Sequence, residues 1–214
     1  MKVLIIKNDG FGDLTLSLPV LNGIHLKNHN NLQIDIVLSK RCLSLKNYLK
    51  NFNNIFFLEK LGPGFNLSKK ISENDRNILK KIKSINYDKC FVMRRKLNYE
   101  QLQIMKIVKA KKKYICAENY PKNLELFKKL KEQTKNWIDI KINKKFINEY
   151  EYFSEFLKKV GFNLNINKKL FLNNQNKALN NKIVLNLSGE KQISVESNFK
   201  ILLDMLLLNT SRKI

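Results

Sequence analysis

Short β-rich runs alternate with longer amphipathic stretches through the first 120 or so residues, and this alternation constrains the fold more than any other feature of the chain. Runs at 2–7 (KVLIIK), 32–38 (LQIDIVL), 54–58 (NIFFL), 87–93 (YDKCFVM) and 112–116 (KKYIC) read as strands. Amphipathic stretches near 13–28, 41–51, 71–85 and 98–109 read as the helices between them. This is the pattern of βαβ units, and it predicts an α/β domain with a Rossmann-like parallel sheet and flanking helices. KLGPGFNLS at 60–68 carries two glycines and a proline, so it is a loop at the carboxyl end of the third strand. It either lines a cleft or simply connects to the next helix.

After residue 120 the rhythm changes. Stretches 122–132 (KNLELFKKLKE) and 146–160 (FINEYEYFSEFLKKV) read as helices, the second stopped by Gly161. NNQNKALNN at 173–181 is polar and turn-rich, the composition of a linker. Beyond it, 182–187 (KIVLNL) reads as a strand and 195–208 as an apolar helix. The expected organisation is a Rossmann-like domain over 1–172, a linker over 173–181 and the incomplete start of a second domain over 182–214.

A chain of 214 residues with 43% hydrophobic content buries a real core and is not disordered. Its formal charge of +23 favours anionic partners, although lysine, asparagine and isoleucine abound everywhere, as in proteins from low-GC genomes. Cys42, Cys90 and Cys116 are odd in number and widely spaced, which suits small core residues in a reducing compartment. No run approaches the roughly 20 apolar residues of a membrane span, and the N-terminal run is too short for a signal peptide, so the expectation is a cytoplasmic protein. His25 and His29 lie four apart with no third ligand evident, so they read as a polar helix end rather than a metal site. The lysine runs at 109–113 and 141–145 lack interleaved aromatics and read as solvated faces, not a nucleic-acid surface.

The chemistry-bearing stretch is KNDGFGD at 7–13. A strand, a glycine turn and a helix in that order place backbone N–H groups at a helix N-terminus, and Gly10 and Gly12 let another molecule approach the backbone. The dinucleotide fingerprint G-x-G-x-x-G fits poorly, because Thr15 replaces its third glycine and Asp9 and Asp13 would flank a pyrophosphate. Asp35 also lies in mid-strand rather than at the strand end. Asp13 is either a general base held at the turn or an acid placed to suit the helix dipole. Asp9 reads as a plain turn residue.

The stretch MKVLIIKNDGFGDLTLSLPVLNGI resembles the N-terminus of glycosyltransferase family 9, the ADP-heptose:lipopolysaccharide heptosyltransferases. Lys7, Gly12, Asp13, Thr15, Ser17, Leu18 and Pro19 stand in register with the family's opening. YDKCFVMRRK at 87–96 and KAKKKYIC at 109–116 are similar to later parts of the family's first domain, and VLNLSGEKQISVESNFKILLDML at 184–206 to the start of its second.

That resemblance implies a GT-B glycosyltransferase, with the acceptor held mainly by the first of two Rossmann-like domains and the nucleotide-sugar donor mainly by the second. It implies metal-independent, inverting transfer from a nucleotide sugar of the ADP-heptose type to an anionic lipopolysaccharide-core acceptor, without a cofactor. Asp13 would be the base. Lys7, Arg94 and Arg95, with the Gly10 and Gly12 turn, would hold the acceptor. Asn186, Ser188, Gly189 and Lys191 would cradle the donor phosphates. The positive charge would suit peripheral contact with the inner membrane surface. The rest of the family's donor domain is absent from this sequence, so the expectation is a truncated copy that binds nucleotide sugar poorly by itself. The alternative is an inactive remnant that binds glycans or partners.

Overall fold

The computed structural model describes residues 1–25, 31–59, 71–116, 124–142 and 149–164. Two compact units divide the chain, Met1–Lys168 and Lys169–Ile214, and every described residue lies in the first. The loop at 60–68, His29, the stretch at 173–181, the strand at 182–187, the helix at 195–208 and the residues Asn186, Ser188, Gly189 and Lys191 lie outside the described residues.

Six parallel strands form the main sheet: β1 (Lys2–Lys7), β3 (Gln33–Ser39), β4 (Asn54–Leu58), β5 (Asn86–Met93), β6 (Lys109–Cys116) and β7 (Trp137–Asp139). Their spatial order is β4-β3-β1-β5-β6-β7. Counted along the chain, that is 3-2-1-4-5-6, the doubly wound order of dinucleotide-binding domains. β1 sits centrally and its residues 3–7 are all buried, as expected of a β-branched strand covered on both faces.

The two-residue period of β1 divides the core in two. Val3 and Ile5 face one apolar cluster, which contains Leu14, Leu18 and Leu21 of α1 (Phe11–Asn22) and Phe153, Phe156 and Leu157 of α5 (Glu149–Lys159). Leu4 and Ile6 face the other, with Leu79 and Ile82 of α2 (Glu73–Ser84) and Leu102 and Met105 of α3 (Tyr99–Ile107). Helices therefore cover both faces, the only way an all-parallel sheet keeps its apolar residues from water. On the first face Phe91 stacks on Tyr114 at 5.2 Å between centroids and meets Phe156 and Phe162 edge-on.

Several elements differ from the expectation for physical reasons. α1 ends at Asn22 rather than near residue 28, because Gly23 closes it and Ile24–His25 forms the short strand β2, paired antiparallel with β8 (Asn163–Leu164). The expected helix at 41–51 is a 3-10 helix over Lys40–Tyr48, in which Cys42 and Leu45 are buried at the three-residue spacing that suits this tighter form. β6 begins at Lys109, three residues before the expected start. Lys113 within the lysine run is not solvated: it is 3% exposed, and its ammonium donates to Met105 O at 2.7 Å. Three-residue β7 has no foreseeable run of its own. It begins just after Asn136, whose φ of 62° lies in the left-handed region that asparagine tolerates. The helix at 122–132 appears as α4 (Leu124–Glu132). Among the described residues no helix is long and apolar enough to cross a membrane.

Candidate active site

In an open α/β sheet, ligands bind beyond the carboxyl ends of the strands where the strand order reverses. Here the reversal lies between β1 and β5, and the segments leaving their carboxyl ends are Lys7–Gly10 and Arg94–Arg95. The sequence candidates Lys7, Gly10, Arg94 and Arg95 come from these segments, and Gly12 and Asp13 from the first turn of α1 that follows the first of them.

Asp13 occupies the third position of α1, inside its first turn, and is exposed. A Cβ placed on Gly10 would meet the Asp13 carboxylate at 3.8 Å, so the carboxylate hangs over the turn. Gly10 adopts an ordinary extended conformation (φ −70°, ψ 167°), and nothing lies within 4 Å of a Cβ on Gly12. Neither glycine is therefore demanded by its own backbone or by close packing. Both leave free surface beside Asp13, where another molecule can approach main-chain N–H groups.

Beneath this rim lies a buried ionic network. The Lys7 ammonium donates to Asp9 Oδ2, stands 3.4 Å from Glu149 Oε2 and packs 4.4 Å from the Phe153 ring centroid. Lys7 is 1% exposed, so it does not open onto the cleft. Arg94 Nε approaches Asp9 Oδ1 at 3.1 Å and its Nη1 approaches Glu100 Oε1 at 3.5 Å, but neither pair is aligned as a hydrogen bond, which leaves Asp9 Oδ1 and Arg94 Nη1 without one. Arg95 lies 4.9 Å over the Tyr152 ring. Gln101 accepts from the backbone N–H of Asn98 at 3.0 Å and donates to Asn8 Oδ1 at 2.6 Å, which ties the start of α3 to the end of β1.

The charges nearly balance, with Lys7, Arg94 and Arg95 set against Asp9, Asp13, Glu100 and Glu149. Burial raises the carboxyls of Glu149 and Glu100 above the ordinary range; Lys7 opposes the shift at Glu149 and Arg94 opposes it at Glu100. The Cys42 thiol donates to Asp9 O at 3.6 Å, and burial pushes its pKa up to about 11, so it is not a thiolate nucleophile.

Sequence reasoning placed Asp13 and the two arginines at this mouth but missed Asp9, Glu100 and Glu149. Asp9 resembles any turn aspartate, yet it is 2% exposed and holds the network together. Glu149 stands 142 residues from Lys7, beyond any local pattern. Among the described residues no group of three His, Cys, Asp or Glu side chains gathers as a metal site.

No protein-family model and no curated protein sequence matches the chain. Solved structures do match. The Escherichia coli heptosyltransferase WaaC with ADP superposes with a TM-score of 0.64 at 14% identity, over 96% of this chain and 64% of that one. The same enzyme with ADP-2-deoxy-2-fluoro heptose gives 0.54 at 15% identity, over 77% of this chain and 50% of that one. A family 9 glycosyltransferase from Veillonella parvula gives 0.53 at 13% identity, over 78% and 44%. The chain thus shares the fold of these glycosyltransferase structures while spanning less than two thirds of their length.

Proposed function

We propose that the chain carries the acceptor side of a heptosyltransferase-like glycosyltransferase, with Asp13 as its general base. The observation that carries this reading is the exposed Asp13 carboxylate at the first turn of α1, at the strand-order reversal, beside two glycines that no packing requires. The shared fold supports it, since two of the matching structures hold ADP or a fluorinated ADP-heptose.

In this reading an acceptor hydroxyl lies against the Gly10–Gly12 turn. Asp13 takes its proton as the oxygen attacks the anomeric carbon of a nucleotide sugar. The new glycosidic C–O bond forms as the bond to the diphosphate breaks, the nucleoside diphosphate leaves, and the anomeric centre inverts. No metal takes part. Arg94 and Arg95 attract the acidic groups of a lipopolysaccharide-type acceptor. Lys7 acts indirectly: by neutralising Asp9 it keeps the turn beneath the acceptor from repelling an anion. Donor binding falls to Asn186, Ser188, Gly189 and Lys191 of the second unit, and the working place of such an enzyme is the cytoplasmic face of the inner membrane.

The test is an assay of the chain with ADP-heptose and a lipopolysaccharide-core acceptor, the product being read by mass. The chain alone is expected to transfer little, and in a complete enzyme carrying this domain Asp13→Asn should reduce transfer by about a hundredfold or more with an unchanged melting temperature. Transfer by Asp13→Asn at the parental rate would remove the base assignment. Acceptor binding with no transfer by that complete enzyme would leave a glycan-binding module instead.

A further inference from the structure

At the opposite pole of the sheet, a cavity of about 780 Å³ opens at the amino ends of β5 and β6. Lysines 106, 109, 111, 113 and 135 line it, with Asp88 as the acid among the lining residues. Asp88 is already paired to Lys111 at 2.7 Å and accepts from the backbone N–H of Lys2 at 2.9 Å, so it neutralises one charge and leaves a strong positive excess. The α3 C-terminus also faces this region and brings the partial negative charge of its last carbonyls. One of those carbonyls, Met105 O, is already taken by the Lys113 ammonium, so its dipole does not offset the remaining lysines. The wall is firmly built. Asn136 turns the chain into β7, donating from its side chain to Ala110 O at 3.0 Å and accepting the Lys113 N–H at 2.8 Å.

Like charges that line one concavity repel each other unless a counter-charge enters, and low-dielectric walls concentrate the field inside. The volume exceeds what a single phosphate needs and falls within the range of ligand sites. We propose that this cavity is a second binding site for a ligand bearing two or more phosphate groups, separate from the site at the carboxyl end of β1. That chemistry is offered either by a free oligophosphate or by phosphorylated headgroups at a lipid surface.

The experiment uses the full chain and two probes, inorganic tripolyphosphate by calorimetry and vesicles of phosphatidylcholine with or without phosphatidic acid by co-sedimentation. The variant K106Q/K109Q/K135Q removes three exposed lysines of the cavity, and K46Q/K80Q/K83Q removes the same charge from exposed positions on the 3-10 helix and α2. The cavity variant should lose at least about tenfold in affinity for one probe, and the control less than about twofold, both with the parental melting temperature. Loss in the tripolyphosphate arm identifies a free oligophosphate; loss only in the vesicle arm identifies the lipid headgroup. Equal loss in both variants, or a parent that binds neither tripolyphosphate nor phosphatidic acid vesicles above phosphatidylcholine alone, would overturn the proposal.

Discussion

At the scale of single residues, the candidate site combines an exposed acid with buried charges that fix its surroundings. Glu149 makes the clearest measurable case. Burial raises its carboxyl above the ordinary value of 4.5, and Lys7 opposes that shift. A carboxyl whose folded pKa is raised contributes stability that is full below its unfolded pKa and is lost as pH rises through the folded value. Glu149→Gln does not titrate and escapes that loss. The melting temperature of the variant minus that of the parent should therefore grow as pH rises from about 4.5 to 7. A difference that shrinks over that window would contradict the burial assigned to Glu149. Asp13 was legible in the sequence because a strand, a glycine turn and a helix announce it locally. Asp9 was not, since its importance comes from Lys7 at the end of β1 and Arg94 just past the end of β5, and no short motif encodes that meeting.

At the scale of elements, the hydrophobic runs were legible and the ways they join were less so. The boundaries of β1, β4 and α2 follow the apolar pattern closely, because packing on both faces of a strand, or a Ser72 cap that accepts from Asp75 N–H at 3.1 Å, writes itself into sequence. Lys113 defeats the same reasoning: a lysine inside a basic run looks solvated, yet it is buried and its head reaches a helix carbonyl. Asp35 marks a third case. The sequence shows only that it is a mid-strand acid, unsuited to a ribose. In the fold it joins three strands, accepting the Tyr87 hydroxyl at 2.9 Å and both N–H and side-chain amide of Asn54, at 3.1 and 2.8 Å. Burial first, and the hydrogen bond to Asp35 second, raise the Tyr87 hydroxyl well above its ordinary range. Tyr87→Phe leaves one buried carboxylate oxygen unpaired, so urea unfolding should show a loss of about 1–3 kcal/mol. A loss below about 0.5 kcal/mol would mean that Asp35 does not need this partner.

At the scale of the whole molecule, the alternation of strands and helices was enough to predict a parallel sheet, but the 3-2-1-4-5-6 order emerges only from the register that sets β3 on one side of β1 and β5 on the other. That order is what gives the Gly10–Asp13 turn a functional meaning, because it puts the turn at the reversal point beside Arg94 and Arg95. The fold leaves two poles of opposite character: a nearly balanced ionic mouth at the carboxyl ends and a lysine-lined cavity at the amino ends. In the proposed function the acceptor sits at the first of these. The most direct measurement is amide chemical-shift mapping of the chain during titration with a lipopolysaccharide-core oligosaccharide. The largest shifts should fall on Gly10, Gly12, Asp13, Arg94 and Arg95; shifts confined to Asn86, Lys106, Lys109 and Gln133 at the opposite pole would rule out an acceptor site at the carboxyl ends of the strands.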